Sequence, residues 1–305
     1  MTNKAVLLIV FNRIEESLSV IQKIKEANIT SLYIASDGPR EYVENEGEIV
    51  KEIRETLINF VDWNCEIKTL FHNKNLGCKN AVTMAIDWFF SNEEEGIIIE
   101  DDCVPNPDFF KYASCLLDKY RDNEKIWHIG GFNPIKKINN QETSYFFSNY
   151  PLVWGWATWR SRWKKYNKNI ENFSYLDRSI SKNLNFARRD VIYWEKIFKD
   201  VFSNKIDTWD YQWVYCVWIH SGLSIIPNKN LITNIGFNEK ASHTKNPNSK
   251  LNKMQSNSFN FPITFNEEVI VNNFYDEKLK KLIFKNPNIF IKFIYSIYKI
   301  IKNDY

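Results

Sequence analysis

The chain has 305 residues, 44% hydrophobic and 16% aromatic, enough for a sizeable core with aromatics left over to line a site. Lys and Arg number 40 against 37 Asp and Glu, so bulk charge makes no case for nucleic acid, and no zinc-finger, RNP or helix-turn-helix pattern is present. The five cysteines, Cys65, Cys78, Cys103, Cys115 and Cys216, form no Cys-x-x-Cys pair, which suits a reducing compartment and argues against a zinc site.

Residues 5–11 form an apolar run too short to span a bilayer and without a small-residue cleavage site. They read as a buried first strand ending at Asn12-Arg13, with the cytoplasm as the default compartment. Leu18, Ile21, Ile24 and Ala27 then recur at helical spacing. Residues 32–35 read as a second strand whose tip carries Asp37-Gly38-Pro39, followed by a helix with Val50, Ile53 and Leu57 on one face. Residues 65–71 alternate as a third strand ending in a polar tip that includes Asn75 and Gly77. Ala81, Met84, Ala85, Trp88 and Phe89 mark the next helix. This alternation predicts right-handed crossovers and a mostly parallel sheet flanked by helices. Neither a Gly-x-Gly-x-x-Gly fingerprint nor a P-loop is present.

The fourth strand, Gly96-Ile97-Ile98-Ile99, runs directly into Glu100-Asp101-Asp102. Ligands of open α/β sheets sit at the carboxyl ends of the strands, and hard divalent cations prefer oxygen ligands shared with phosphates. Three acids there predict a metal and phosphate site; the alternative is that Asp101 or Asp102 only caps the next helix. That helix is expected over residues 109–120, and a strand with a bend at Gly130-Gly131 follows it, then a short strand at residues 144–148.

Trp154, Trp156, Trp159 and Trp163 crowd one short stretch, with Gly155 between the first two. A bend with an aromatic wall for sugar rings is one reading, and a Trp-rich core helix is the other. Residues 164–205 read as a polar surface excursion holding one helix near residues 191–202. Asp207 reads as the N-cap of an apolar helix running to His220, with Asp210 in its first turn. Asp210, flanked by Trp209, Tyr211 and Trp213, is a candidate general base, capping being the alternative. Two short strands at residues 224–227 and 231–235 precede a long polar loop holding Ser242 and His243, the latter either a surface residue or a second metal ligand. The tail, residues 278–305, carries Ile289, Phe290, Phe293 and Ile297 among lysines. Such a basic amphipathic helix fits a membrane interface, or packing on its own domain or on a second subunit.

In order and approximate spacing these motifs resemble the GT-A glycosyltransferases, in particular the N-acetylglucosaminyltransferase I family and bacterial nucleotide-diphospho-sugar transferases. Phe11-Asn12-Arg13 resembles the family's Cys-Asp-Arg, which implies that Arg13 meets the donor's diphosphate or base. Asp37 matches its uracil-contacting acid, and its uridine-contacting His falls near Thr83. Glu100-Asp101-Asp102, followed by Pro107-Asp108-Phe109-Phe110, resembles its Glu-Asp-Asp motif, of which Asp102 alone would ligate Mn²⁺ or Mg²⁺ while Asp101 touches the nucleotide sugar. Gly155-Trp156 and Trp209-Asp210 match its aromatic loop and its catalytic base, and the sequence from Ala241 to Thr244 resembles a loop closing over the donor. The resemblance implies donor binding by Phe11, Arg13, Asp37, Asn75, Gly77, Lys79, Thr83, Glu100, Asp101 and Ser242. It implies acceptor binding by Asn133, Trp154, Gly155, Trp156 and Trp209, and metal binding by Asp102 with His243 as a second candidate.

The implied architecture is a GT-A domain over residues 1–262, donor half 1–104 and acceptor half 105–262, with a helical tail at 263–305. The implied activity is metal-dependent, inverting transfer from a nucleotide sugar to a hydroxyl of a glycan or lipid-linked glycan in surface polysaccharide or lipopolysaccharide assembly. UDP-sugars, UDP-GlcNAc among them, are the first choice of donor. The competing readings are a sugar nucleotidyltransferase, which should carry a Gly-rich basic loop where Asn12-Arg13-Ile14-Glu15 stands, and a non-catalytic carbohydrate-binding protein, which has no use for the acid cluster.

Overall fold

Strand and helix alternate through the first third of the chain as the periodicity predicts: β1 (Val6–Val10), α1 (Ile14–Glu26), β2 (Ser31–Ser36), α2 (Glu46–Phe60), β3 (Glu66–Phe71), α3 (Cys78–Asn92) and β4 (Glu95–Glu100). The computed structural model describes residues 4–135, 143–171, 173, 175–236 and 254–284. There follow β5 (Cys103–Pro105), α4 (Asp108–Tyr120), β6 (Ile126–Gly130), β7 (Tyr145–Ser148), β8 (Trp156–Trp159), α5 (Arg160–Trp163), α6 (Arg178–Asn183), α7 (Arg188–Phe202), α8 (Asp210–Ile219), β9 (Leu223–Pro227), β10 (Ile232–Asn234) and α9 (Asn273–Phe284).

Eight strands form one sheet in the order β3-β2-β1-β4-β8-β6-β9-β7, so the α/β class and helix-flanked central sheet of the GT-A expectation stand. The sheet is parallel from β3 to β4 and again between β6 and β9; β8 and β7 run antiparallel to their neighbours. β1 leads out to β2 and β3 on one side and is flanked by β4 on the other. The order of connection therefore reverses between β1 and β4, where a ligand crevice opens at the carboxyl ends. Register fixes what meets there: Val10 pairs with Ser36 and Ile9 with Glu100.

The period of two along β1 divides the core. Val6, Leu8 and Val10 face a cluster with α1, α2 and α4, whereas Ala5, Leu7 and Ile9 face one built with α3, α7 and α8. α9 joins the second cluster through buried Tyr275 and Leu279. Its Asp276 accepts from Ser148 Oγ at 2.5 Å and Asn149 N at 3.0 Å.

Two expectations need correction. The Trp-rich stretch is neither a helix nor a free wall: Trp156–Trp159 is β8, inserted between β4 and β6, with Ala157 opposite Ile97 and Ile129. The excursion at 164–205 is not confined to the surface, because α7 buries Trp194, Ile197, Phe198 and Val201 at helical spacing. Residues 103–105 form β5, which pairs antiparallel with β10 and places Asn234 opposite Cys103. Ser242, His243 and residues 285–305 lie outside the described residues. No helix among the described residues is long and apolar enough to cross a membrane.

Candidate functional site

The acids after β4 meet the residues after β1, as the shared register requires. Asp101 Oδ2 accepts from the Phe11 amide at 3.2 Å. Arg13 Nη1 lies 2.7 Å from Asp102 Oδ2 and 3.4 Å from Asp101 Oδ1. Cys103 Sγ stands 3.3 Å from Asp102 Oδ1, and Asn234 Nδ2 3.4 Å from the same oxygen. The Asp102 carbonyl accepts from Ile235 N at 2.8 Å, so β10 arrives directly on this acid. Neither Asp101 nor Asp102 caps a helix: α4 begins at Asp108 with Pro107 as its N-cap. On the near side Arg40 lies over the Phe11 ring at 5.4 Å and pairs at 2.5 Å with Glu46, a buried acid that also accepts from Asn12 Nδ2.

The electrostatics are lopsided. Burial, with the charges of Asp102, Asp101 and Asp210, pushes the Glu100 carboxyl up to about 8. Burial pushes Asp101 up to about 7 against the pull of Arg13. Burial works against the Arg13 charge, yet Asp101 and Asp102 outweigh it and its pKa is raised.

Asp37 at the tip of β2 organises the turn after β3. Its Oδ1 accepts from the amides of Gly38 at 2.8 Å and Leu76 at 2.9 Å, and its Oδ2 from Asn75 Nδ2 at 2.9 Å. Burial raises its pKa against those donors. Gly77 is the N-cap of α3, and the Lys79 ammonium reaches Asn204 Oδ1 at 2.6 Å. Thr83 is buried, with Oγ1 3.5 Å from the Tyr166 hydroxyl, which in turn donates to the Trp209 carbonyl at 3.0 Å.

Asp210 opens α8 from the other half of the chain. Its carboxylate accepts from Thr208 Oγ1 and, at 2.9 Å, from its neighbour's amide, Tyr211 N. Burial raises its pKa, opposed by those two donors. The Asp210 charge reaches Glu100, and Glu100, Asp207, Asp210 and Asp37 all bear on the Cys78 thiol, which burial and these acids hold protonated. Of the strand-end acids, Glu100 is the one that Asp210 bears on. Asp207 does not cap α8 as expected; Trp209 holds that place, and Asp207 binds the start of α3.

The acceptor candidates separate by exposure. Trp154 is half-buried and packs on Phe132 at 4.4 Å. Gly155 adopts φ +58, and a Cβ there would come within 2.4 Å of Ile232 Cδ1, so the predicted bend is real and needs glycine. Trp156 and Trp209 are buried and stack at 5.6 Å, with Trp213 and His128 against Trp156. They form a buried aromatic layer, not a solvent-facing wall. Asn133 is buried, its amide spent on the Pro227 carbonyl at 2.8 Å, the Ile135 amide at 2.9 Å and the Tyr275 hydroxyl at 3.4 Å.

Sequence reading missed Arg40, Glu46, Thr208 and Tyr166. An acid in the first turn of a helix, as Glu46 is in α2, is too ordinary to signal such a role.

The donor set fits a hard cation. Asp102 and Asp101 bear on Glu100, Asp102 on Asp101, and Arg13 offsets both pairs, while burial is the larger cause of the raised carboxyls. Among the described residues no three His, Cys, Asp or Glu side chains are set to enclose a metal by themselves.

No protein-family model matches this sequence, and no curated protein matches it. Similar solved structures include HddC from Yersinia pseudotuberculosis, 11% identical over 56% of this chain and 87% of that one, with a TM-score of 0.35. The mannosyltransferase PcManGT from Pyrobaculum calidifontis, in complex with GDP-Man and Mn²⁺, is 8% identical over 70% and 69%, at 0.38. A UDP-glucose pyrophosphorylase complexed with UDP-glucose is 12% identical over 55% and 81%, at 0.32. Likenesses this faint carry no argument about the chemistry here.

Proposed function

We propose that this chain is a metal-dependent glycosyltransferase that moves a sugar from a nucleotide-diphosphate donor to a hydroxyl of a glycan or lipid-linked glycan. One observation carries the reading: Asp210, far along the chain, sits within electrostatic reach of Glu100, the first of the three acids at the β1/β4 switch point. A strand-end acid cluster opposed by a second, buried carboxylate is what a displacement at a sugar carbon requires. One side grips the leaving diphosphate and the other takes the proton of the incoming hydroxyl.

Asp102 would hold Mn²⁺ or Mg²⁺, which supplies Lewis-acid stabilisation of the departing diphosphate. Arg13, already turned toward Asp102, adds a second positive charge to the same phosphates. Asp37 and Asn75 brace the turn that borders the nucleoside, and Phe11 under Arg40 offers a flat face beside it. Asp210 is the base. Burial makes it more basic than an ordinary carboxylate, and its bonds from Thr208 and Tyr211 fix its direction. A single acid on the acceptor side gives inversion at the anomeric carbon. The likeness to the N-acetylglucosaminyltransferase I family rests on these motifs and makes UDP-sugars the first donors to try. Surface polysaccharide assembly, with the basic tail at a membrane, is the setting that suits a lipid-linked acceptor.

Titrating UDP into the protein with and without Mn²⁺, then screening UDP-, GDP- and CMP-sugars for transfer, tests the reading. Metal-dependent nucleotide binding and sugar transfer are expected. Indifference to both UDP and Mn²⁺ would return the chain to carbohydrate binding alone. Pyrophosphate release from a nucleoside triphosphate and a sugar phosphate, without transfer, would make it a nucleotidyltransferase.

A further inference from the structure

One acid at the junction of the two halves has no part in that chemistry. Asp207 precedes α8, yet its carboxylate is bound to α3: Oδ2 accepts from Cys78 N at 3.0 Å and Oδ1 from Lys79 N at 3.1 Å. The first amides of a helix lack partners within it, and the 15-residue α3 brings no acid in its own first turn and no side-chain cap, since Gly77 is its N-cap. Asp207 supplies both from the other half of the chain. The approach is so close that a Cβ on Gly77 would lie 2.8 Å from Asp207 Oδ2.

Two more contacts run the same way. Lys79 Nζ donates to Asn204 Oδ1 at 2.6 Å, and the Tyr166 hydroxyl joins Thr83 of α3 to the Trp209 carbonyl. The segment from Asn204 to Trp209 is thus pinned to the first turns of α3, and α3 is tied through the Leu76 amide to Asp37 at the tip of β2. Asp210 is the next residue. Its own helix gives it no cap from Asp207, so its placement against α3 depends on this seam.

We infer that Asp207 is a positioning residue for Asp210: by capping α3 it clamps the acceptor half to the donor half and fixes the base opposite the strand-end acids. This rests on the proposed transferase reading only for its kinetic consequence. The clamp also occupies the amides at the start of α3 that could otherwise hold a phosphate, leaving the diphosphate to Asp102 and Arg13.

Asp207→Ala and Asp207→Asn test it, because Asn keeps one of the two oxygen acceptors and can hold one of the two amides. Three quantities are read: hydrogen exchange at the Cys78, Lys79 and Tyr211 amides, UDP affinity with Mn²⁺, and kcat for transfer. Asp207→Ala should speed exchange at all three amides, since Tyr211 N is held by Asp210. It should lower kcat by up to about 10²-fold, the usual effect of a misplaced catalytic group, with UDP affinity little changed. Asp207→Asn, with one acceptor left, should fall between Asp207→Ala and wild type in both. Unchanged exchange at Tyr211 in Asp207→Ala, or a kcat within about two-fold of wild type alongside a lowered Tm, would leave Asp207 a helix cap and overturn the inference. UDP affinity falling in step with kcat would overturn it too, by assigning Asp207 to the donor. Where no nucleotide sugar is turned over by the wild type, the functional reading fails while the exchange arm still decides the clamp.

Discussion

Replacing Glu100 by Gln separates an overcharged site from an ordinary strand end without needing a substrate. The folded protein pushes this carboxyl from 4.5 up to about 8, through burial and the charges of Asp102, Asp101 and Asp210. The sign follows from proton counting: between those pH values the folded state keeps a proton that the unfolded state has released. Stability is therefore full below about pH 4.5 and falls as pH rises through about 8. A shift of that size corresponds to about 4–5 kcal/mol, and solvent at the partly exposed edge of the side chain lowers it to about 2–4 kcal/mol. Gln fills nearly the same volume and cannot ionise. Glu100→Gln should match the wild type in urea unfolding near pH 4.5 and exceed it by about 2–4 kcal/mol at pH 8.5, both with chelator present. Asp101, raised to about 7, leaves a smaller slope in the variant. Parallel stability profiles for the two proteins across that range would refute the crowding of negative charge on which the site rests.

Asp210→Asn should leave metal-dependent UDP affinity intact and lower the transfer rate by about 10²–10⁴-fold, measured as donor turnover with acceptor present; an unchanged rate removes Asp210 as base. Asp102→Asn should make UDP affinity by calorimetry insensitive to added Mn²⁺, whereas a retained metal response would move the ligand elsewhere. Gly155→Ala, at φ +58 and against Ile232, should destabilise the protein by about 1–3 kcal/mol in urea unfolding, with no change in m-value.

Much of the donor side was legible because buried parallel strands leave strong local marks. Ile97, Ile98 and Ile99 running into three acids place the strand and the acids at its tip, and the acids fall at the switch point because β1 and β4 are neighbours. The acceptor side was harder to read. Trp156, Ala157, Thr158 and Trp159 have the period of a strand, but so short a run depends on antiparallel pairing with β4 and β6, which lie far away in sequence. Asp207 was misread for a related reason. An Asp three residues before an apolar helix is the usual sign of an N-cap, and nothing local shows that another helix, whose own cap is a glycine, takes it instead. Long-range polar contacts of that kind have no period and leave no mark on composition.

The buried aromatic layer around Trp156 narrows how a pH response should be assigned. His128 is buried against Trp156, with ring centroids 5.1 Å apart, and burial lowers its pKa to about 3. Its partners dictate the tautomer: the Leu152 carbonyl, 3.1 Å from Nε2, can only accept, and the Trp213 indole N–H, 3.2 Å from Nδ1, can only donate. The ring is thus neutral, with its proton on Nε2, across the neutral range. A cationic imidazole there would have to give up the Trp213 bond and carry an uncompensated charge inside an aromatic stack. The layer around Trp156 therefore does not titrate as Glu100 and Asp101 do. A charge change between about pH 7 and 8 is then traced to those two carboxyls at the end of β4, the groups a bound cation would discharge.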